Sequence, residues 1–152
     1  MAEPPDGVFI YRTRTHFDQL DALDILHHSR YFLFAERAQQ AFFDHVMEAE
    51  TFNTERYTDL YAVVRSVDLE YLRPIDGVFP FHVALVVDRL REAALTTRVG
   101  FFDASGETLY ARGRRTTCHL SPTTHQPAGW SPLFRERFGH WAERARRADV
   151  SF

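Results

Sequence analysis

The spacing of apolar residues first becomes regular between Ser29 and Glu50, where it predicts a helix. Neither Gly nor Pro interrupts this stretch, and Ser29 is a residue type that favours the helix N-cap. Apolar residues occupy nearly every side of the predicted helix rather than a single stripe. A helix with so broad an apolar surface is normally buried. We therefore expect a central helix wrapped by other elements, with Ala38 and Phe42 on the face that these elements cover.

Before and after this helix, apolar and polar residues alternate, which is typical of strands with one face on the core. One strand is predicted at residues 8–17, and four more follow the helix. Each of the four places a mostly apolar set on one face: Val67, Leu69 and Tyr71; Phe79, Phe81, Val83, Leu85 and Val87; Leu95, Thr97, Val99 and Phe101; and Leu109, Ala111 and Gly113. The pattern predicts a sheet whose apolar face meets the central helix.

Short turns connect several of these strands. The segments 74–77 and 103–106 have turn sequences, and short links join antiparallel neighbours. After Pro122 a looser segment leads to an amphipathic helix, for which Ser131 is the predicted N-cap and Pro132 the first residue. The element order predicts an α+β domain of the hotdog type, a curved antiparallel five-stranded sheet around a central helix, with a peripheral C-terminal helix.

The length of 152 residues suits one domain, and the 45% of hydrophobic residues can fill a sizeable core. No repeat, low-complexity tract or linker divides the chain. We expect a flexible amino-terminal segment at residues 1–7, the hotdog domain at 8–122 and a C-terminal extension with the peripheral helix at 123–152.

The composition indicates a reducing cellular compartment and does not favour nucleic acid as a partner. Cys118 is the only cysteine, so no internal disulfide can form, which indicates a reducing compartment. The amino terminus lacks a signal-peptide pattern, and no apolar run approaches the roughly 18 residues of a membrane span. The net charge of −3 does not favour nucleic-acid binding. We therefore expect a cytoplasmic protein without a membrane or nucleic-acid partner.

Residues 17–38 carry a motif in which an Asp is followed seven residues later by a His, then by a Tyr and a helix with Glu-Arg-Ala. This motif resembles the opening signature of the 4-hydroxybenzoyl-CoA thioesterase family, D-x-D-x-x-G-x-V-x-(H/Y)-x-(N/S)-Y. In this resemblance Asp21 falls on the family's catalytic Asp, His28 on the residue seven positions later and Tyr31 on the following Tyr. The resemblance extends over about residues 8–138, nearly the whole chain.

The main departures of the chain from this signature are at residues 19, 24 and 30. Gln19 replaces the first Asp, Asp24 replaces the usual Gly, and Arg30 replaces the Asn or Ser. Asp24 suits a left-handed backbone, which Asp adopts more readily than most residues. We expect Arg30 to line or narrow the substrate pocket and so to affect acyl specificity.

The resemblance implies a thioesterase that hydrolyses an acyl-CoA or an acyl-carrier-protein thioester and needs neither a metal nor another cofactor. It also implies a homodimer or homotetramer, with each active site between subunits. A non-catalytic hotdog module that binds acyl thioesters is the alternative. A third interpretation takes the carboxylates and imidazoles of the same segment as metal ligands, namely Asp18, Asp21, Asp24, His27 and His28.

Thioester hydrolysis needs a donor for the developing oxyanion and a group that activates or replaces water. The backbone N–H of His28, at the start of the predicted helix, is our choice for the donor, and Asp21 is the base or the nucleophile. The His28 side chain either acts in the site or packs at the helix start. The resemblance places Tyr31 in the substrate site, and it implies that Arg89 and Arg91 contact the phosphates of CoA. Surface ion pairs are the competing interpretation for these two arginines.

Two further groups have a structural interpretation. We expect His45 to be a core or interface residue rather than a catalyst. The run formed by Arg112, Arg114 and Arg115 is expected to be a solvent-exposed strand face.

Overall fold

The computed structural model describes residues 3–152, within which it contains five strands and two α-helices. The elements in chain order are β1 (Val8–Arg14), α1 (Arg30–Met47), β2 (Ala62–Tyr71), β3 (Pro80–Leu90), β4 (Ala94–Asp103), β5 (Leu109–His119) and α2 (Pro132–Arg147), with short 3-10 turns at Phe17–Gln19 and Thr58–Leu60. No helix within the described range is both long and apolar enough to cross a membrane.

The five strands form one antiparallel sheet in the order β1-β3-β4-β5-β2. Alternate residues of the central strands face α1, and together they make the main core. On β3 these residues are Phe81, Val83, Leu85 and Val87, and all of them are buried, as the alternation predicts. Phe79, which was predicted to share this face, lies before β3 and is exposed, because the chain is still leaving the turn at Gly77.

The helix α1 is the buried central helix that the sequence predicts. Ala38 and Phe42 are fully buried, and Phe42 stacks on Phe9 of β1 with the ring centroids 4.9 Å apart. Ser29 does precede the helix, but its side chain makes no cap hydrogen bond to a helical N–H. Its Oγ atom lies 2.8 Å from Nδ1 of His27 instead, so this part of the capping prediction is wrong.

The helix α2 is not peripheral, contrary to the prediction. Ser131 caps it by accepting a hydrogen bond from the backbone N–H of Phe134, as expected for this N-cap. However, Phe134 and Phe138 are buried in the main core, and Phe138 contacts Phe42 of α1 at 5.3 Å between ring centroids. The C-terminal segment therefore completes the core rather than covering its outside.

The end of the amino-terminal segment, at Asp6 and Gly7, contacts α2. Arg144 donates a hydrogen bond of 2.6 Å to Asp6, and a Cβ atom on Gly7 would lie 2.3 Å from the backbone nitrogen of Ala145. Gly7 also has a positive φ of 79°, so both its conformation and its surroundings require glycine. Asp6 and Gly7 are thus held against α2, whereas residues 1 and 2 of the predicted flexible segment lie outside the described range.

The strand β2 is exposed on both faces. Its pairing with β5 places Val67, Leu69 and Tyr71 on the α1-facing side of the sheet, as the alternation predicts. Nevertheless, Val67 and Tyr71 are 37% and 45% exposed, because α1 packs mainly against β1 and β3 at the other side of the sheet. A groove therefore lies open between α1 and β2.

Candidate active site

The carboxylate of Asp21 is positioned by a tight turn in the loop between β1 and α1. Its Oδ1 atom accepts hydrogen bonds from the backbone N–H groups of Leu23, at 2.7 Å, and Ile25, at 3.4 Å. The turn is closed by a hydrogen bond of 2.9 Å from the Asp21 N–H to the Ile25 carbonyl. Asp24 occupies the left-handed region with φ 57°, which confirms the expectation for this position.

The second carboxylate oxygen of Asp21, Oδ2, accepts no hydrogen bond from residues 3–152, so it is available to a ligand or water. Asp21 borders a cavity of about 280 Å³ at the end of β2. This site cavity is lined by Asp21, Ile25, Leu26, His28, Tyr31, Tyr71, Leu72, Arg73 and Pro74. A polar, incompletely bonded carboxylate thus faces a space that is otherwise walled largely by aromatic and aliphatic side chains.

The backbone around His28 leaves a donor at the amino end of α1. Among the described residues, the His28 N–H donates no hydrogen bond, whereas the neighbouring N–H groups of His27 and Arg30 bond to backbone carbonyls. Such free N–H groups, together with the positive end of the helix dipole, suit an anionic oxygen. The Tyr71 hydroxyl donates a hydrogen bond of 3.0 Å to the His28 carbonyl and thereby holds this turn in place.

Tyr31 forms a wall of the site cavity rather than a titrating group. Its ring contacts those of Tyr71 and Phe101 edge-on, with centroid distances of 4.9 Å and 5.1 Å. Burial raises the pKa of Tyr31 to about 12, although a hydrogen bond with the Ile75 backbone acts in the opposite direction. The phenol is therefore neutral at physiological pH and can shape the pocket or donate a hydrogen bond.

The structure brings only some of the predicted site residues together. Asp21, His28 and Tyr31 line the same cavity, whereas Arg30 is exposed at the start of α1 and does not line it. Arg89 and Arg91 lie at the opposite end of β3, where Arg89 borders a separate cavity with α2. Within one chain these two arginines are therefore far from Asp21, and their contact with CoA stays a prediction.

Six residues of the site cavity were not predicted as site residues: Ile25 and Leu26 from the loop, and Tyr71, Leu72, Arg73 and Pro74 from the end of β2 and the segment after it. The available signal was the end of β2 just before Pro74, but the sequence does not show that this strand end lies beside the loop carrying Asp21. Within residues 3–152, no three His, Cys, Asp or Glu side chains are grouped so that they could hold a metal ion. His45 is exposed beside Trp141 and Phe9, away from the site cavity.

No protein-family model matches the chain. A curated protein of Aquifex aeolicus (strain VF5) with the name "Putative esterase" is 36% identical over 81 residues, covering 51% of this chain and 60% of the relative. The chain therefore matches less than two thirds of that relative's length.

Solved structures match over most of the chain. A hypothetical protein from Staphylococcus aureus in complex with CoA has a TM-score of 0.82 at 12% identity, covering 95% of this chain and 89% of that chain. A 1,4-dihydroxy-2-naphthoyl-CoA thioesterase from Synechocystis has a TM-score of 0.75 at 10% identity, covering 88% and 96%. The chain has the hotdog fold. The α+β hotdog prediction is thereby confirmed, while such low identities show the fold alone.

Proposed function

We propose that the protein is an acyl-CoA thioesterase, which hydrolyses the thioester to a free carboxylic acid and the CoA thiol. The observation that carries the proposal is that Asp21 and His28 line one cavity, where the His28 N–H has no acceptor among residues 3–152. Water supplies the oxygen that forms the new C–O bond, the C–S bond breaks, and the leaving sulfur ends as a thiol. A nucleophilic or basic carboxylate opposite an oxyanion donor is the minimum that this reaction needs.

In this mechanism the thioester oxygen binds to the His28 N–H at the positive end of α1. That contact strengthens as the oxygen becomes negative, so it stabilises the transition state more than the bound substrate. Asp21 acts on the other side of the carbonyl carbon, either by removing a proton from water or by attacking directly. Tyr71 acts as a positioning residue, because its hydroxyl holds the His28 carbonyl and hence the turn that presents the donor.

The comparisons support the proposal without supplying the substrate. One structure that shares this fold was solved in complex with CoA, and another is a 1,4-dihydroxy-2-naphthoyl-CoA thioesterase. The Aquifex relative carries an esterase name, and thioester hydrolysis is chemically close to ester hydrolysis. A CoA thioester, or the equivalent thioester on an acyl carrier protein, is therefore the substrate class that we propose.

A thiol-release assay tests this function directly. We expect the wild-type protein to release free thiol from at least one member of a panel of aliphatic and aromatic acyl-CoAs, and to do so in the presence of a chelator. Binding of acyl-CoA without turnover would contradict the enzymatic proposal and favour the non-catalytic module. Loss of activity on chelation would instead favour the interpretation in which the carboxylates and histidines of the loop bind a metal ion.

We also propose that the working unit is a homodimer or homotetramer. The strand β2 is an outer strand of the sheet, and its Val63, Val64 and Val67 are between 37% and 49% exposed. An apolar open edge of this kind is hazardous unless it is covered. Because Tyr71 at the end of β2 lines the site cavity, a second copy at this edge would lie next to the active site.

Sedimentation analysis checks this assembly. At micromolar concentration we expect a mass of at least twice the 17.7 kDa of one chain. A Val64→Glu variant should shift the population towards the monomer, because it places a charge on the apolar edge. A wild-type protein that sediments as a single 17.7 kDa species would contradict the proposal.

A further inference from the structure

The arginine run of β5 does not form one solvent-exposed face, contrary to the prediction. Arg112 and Arg114 are exposed and pair with Glu70, at 3.1 Å, and Asp88, at 3.3 Å. Arg115 points to the other side of the sheet, towards α1, and is only 8% exposed. Strand alternation explains the difference, since neighbouring side chains point to opposite faces. One cation of the run is therefore buried inside the fold.

The protein supplies little to balance this buried charge. Among residues 3–152, the one hydrogen-bond acceptor for the Arg115 guanidinium is the hydroxyl of Thr117, at 3.0 Å. The one carboxylate within 4 Å is that of Glu36, at 3.9 Å, and its side chain is 69% exposed. A guanidinium has five N–H donors, and a buried charge is costly unless it is paired and well bonded. Further acceptors would thus be favourable at this position.

Arg115 borders a cavity of about 180 Å³ between α1 and the sheet, which we call the Arg115 cavity. Its polar lining includes the amides of Gln39 and Gln40 and the carboxylates of Glu36 and Asp59. Asp59 already accepts hydrogen bonds from the N–H and the hydroxyl of Ser131, whereas the Trp130 indole N–H is buried without an acceptor in the described range. Apolar side chains of the core complete the lining, among them Leu95, Phe43, Phe134 and Phe138. An apolar group with an oxygen acceptor at its end fits this combination best.

The Arg115 cavity and the site cavity lie along the same groove. On α1, Phe32, Glu36 and Gln40 follow one another at four-residue spacing, and His28 lies four residues before Phe32 in the turn that leads into the helix. His28 lines the site cavity, whereas Glu36 and Gln40 line the Arg115 cavity. From Arg30, the first residue of α1, to Glu36 is six residues, which corresponds to about 9 Å along a helix, and His28 lies two residues further.

The pairing of the strands gives an independent separation of similar size. Tyr71 of the site cavity pairs with Ala111, and Val67 pairs with Arg115, so the two levels are four residues apart on β2 and β5. Four residues of a strand span about 13 Å. Leu69, midway between these levels, and Val67, at the level of Arg115, lie on the α1-facing side of β2 and form the wall of the groove. The groove is therefore apolar in its middle, with the proposed catalytic groups at one end and a buried cation at the other.

We propose that the acyl group of the substrate ends in a carboxylate that binds Arg115. This inference rests on the proposed thioesterase function: with the thioester oxygen at the His28 N–H, the acyl chain runs along the groove and its distal carboxylate replaces Glu36 as the partner of the guanidinium. Arg115 then determines specificity and takes no part in the bond-breaking step. A monothioester of a medium-chain dicarboxylic acid is the substrate class that spans this distance.

The test compares suberoyl-CoA, the monothioester of an eight-carbon dicarboxylic acid, with octanoyl-CoA of the same length. We expect the wild type to hydrolyse suberoyl-CoA with a kcat/KM at least about tenfold higher, the low end for a hydrogen bond to a charged group. In Arg115→Met this preference should disappear, while kcat/KM for octanoyl-CoA changes little. Met is suited to the position because it is flexible and apolar and removes the buried charge. Arg114→Met, on the exposed face, is the matched control and should keep the preference.

The variant Glu36→Gln gives an effect of opposite sign. Because Glu36 competes with the ligand carboxylate for Arg115, its neutralisation should raise kcat/KM for suberoyl-CoA about two- to fivefold, the size of an exposed ion pair. The side chain of Glu36 is largely exposed, so this variant is expected to fold like the wild type. An unchanged or lower value for suberoyl-CoA would contradict the competition and with it the proposed contact.

Equilibrium binding separates this inference from the proposed function. Binding of both CoA esters is measured in an Asp21→Asn background, with and without Arg115→Met, where no turnover is needed. Tighter binding of suberoyl-CoA that depends on Arg115 supports the carboxylate site even if the wild type hydrolyses nothing, which would overturn the thioesterase proposal alone. Hydrolysis and binding that do not distinguish the two esters in either protein would overturn the inference and leave the thioesterase proposal intact.

Discussion

Replacing Asp21 with Asn is expected to lower kcat for the preferred acyl-CoA by at least about 100-fold, the low end of the contribution of general acid–base catalysis. The exchange keeps the size of the side chain and an oxygen that can accept the hydrogen bonds from Leu23 and Ile25. It removes the negative charge that a base or nucleophile requires. The change in KM should be far smaller, because the His28 donor and the groove remain in place. Steady-state thiol release over a range of substrate concentrations measures both constants.

The neighbouring carboxylates provide matched controls for this experiment. Asp18 is exposed on the short turn before the loop, and Asp24 is exposed at its left-handed position, which Asn also adopts readily. Neither residue lines the site cavity. Asp18→Asn and Asp24→Asn should therefore retain most of the activity. A folded Asp21→Asn protein with the wild-type rate would show that the mechanism is wrong.

Local sequence patterns are sufficient to predict most of the fold. The periodicity of the chain predicts the central helix and the five strands, because each pattern depends on residues only a few positions apart. It does not predict the order of the strands, and the expectation that the link at 74–77 joins neighbouring strands is wrong, because β2 pairs with β5 and not with β3. The same holds for the left-handed Asp24 and for the Ser131 cap, where the residue type and its neighbours determine the backbone. The burial of Ala38 and Phe42 follows from the breadth of the apolar surface of α1.

The positions that the sequence does not predict depend on contacts distant in the chain. The amphipathic pattern of α2 shows one apolar face, but not that Phe138 reaches Phe42 in the centre of the core. The alternation of β2 identifies its faces, but the exposure of Val67 depends on where α1 lies over the sheet. Such features are determined by tertiary packing, which a single sequence does not display.

The candidate site also combines residues that a local motif predicts with residues that only tertiary contacts bring in. A linear motif contains Asp21, His28 and Tyr31, so their grouping can be predicted from the loop and the helix start alone. Tyr71 joins them from a strand more than forty residues away, through its hydrogen bond to the His28 carbonyl. Arg115 was assigned to a charged surface because charge runs are usually solvated, although strand alternation contains the signal that Arg114 and Arg115 face opposite sides.

The largest expected effect on stability is that of Phe42→Ala, which should lower the free energy of unfolding by about 3–5 kcal/mol. Phe42 is fully buried where three parts of the chain meet, in contact with Phe9 of β1 and with Phe138 and Trp141 of α2. Truncation loses the transfer free energy of the ring and leaves a cavity between these aromatic side chains. Thermal or urea unfolding measures the loss, at fixed protein concentration because association also contributes to apparent stability.

Phe32→Ala is the matched control, since it makes the same exchange on the same helix. Phe32 is 40% exposed, so its side chain buries less apolar surface on folding than that of Phe42. Each kcal/mol shifts the melting temperature of a domain of this size by about 2–4 °C, so the two variants should be well separated. Equal losses in both would contradict the packing of α1, because they would place Phe42 outside the junction of β1, α1 and α2.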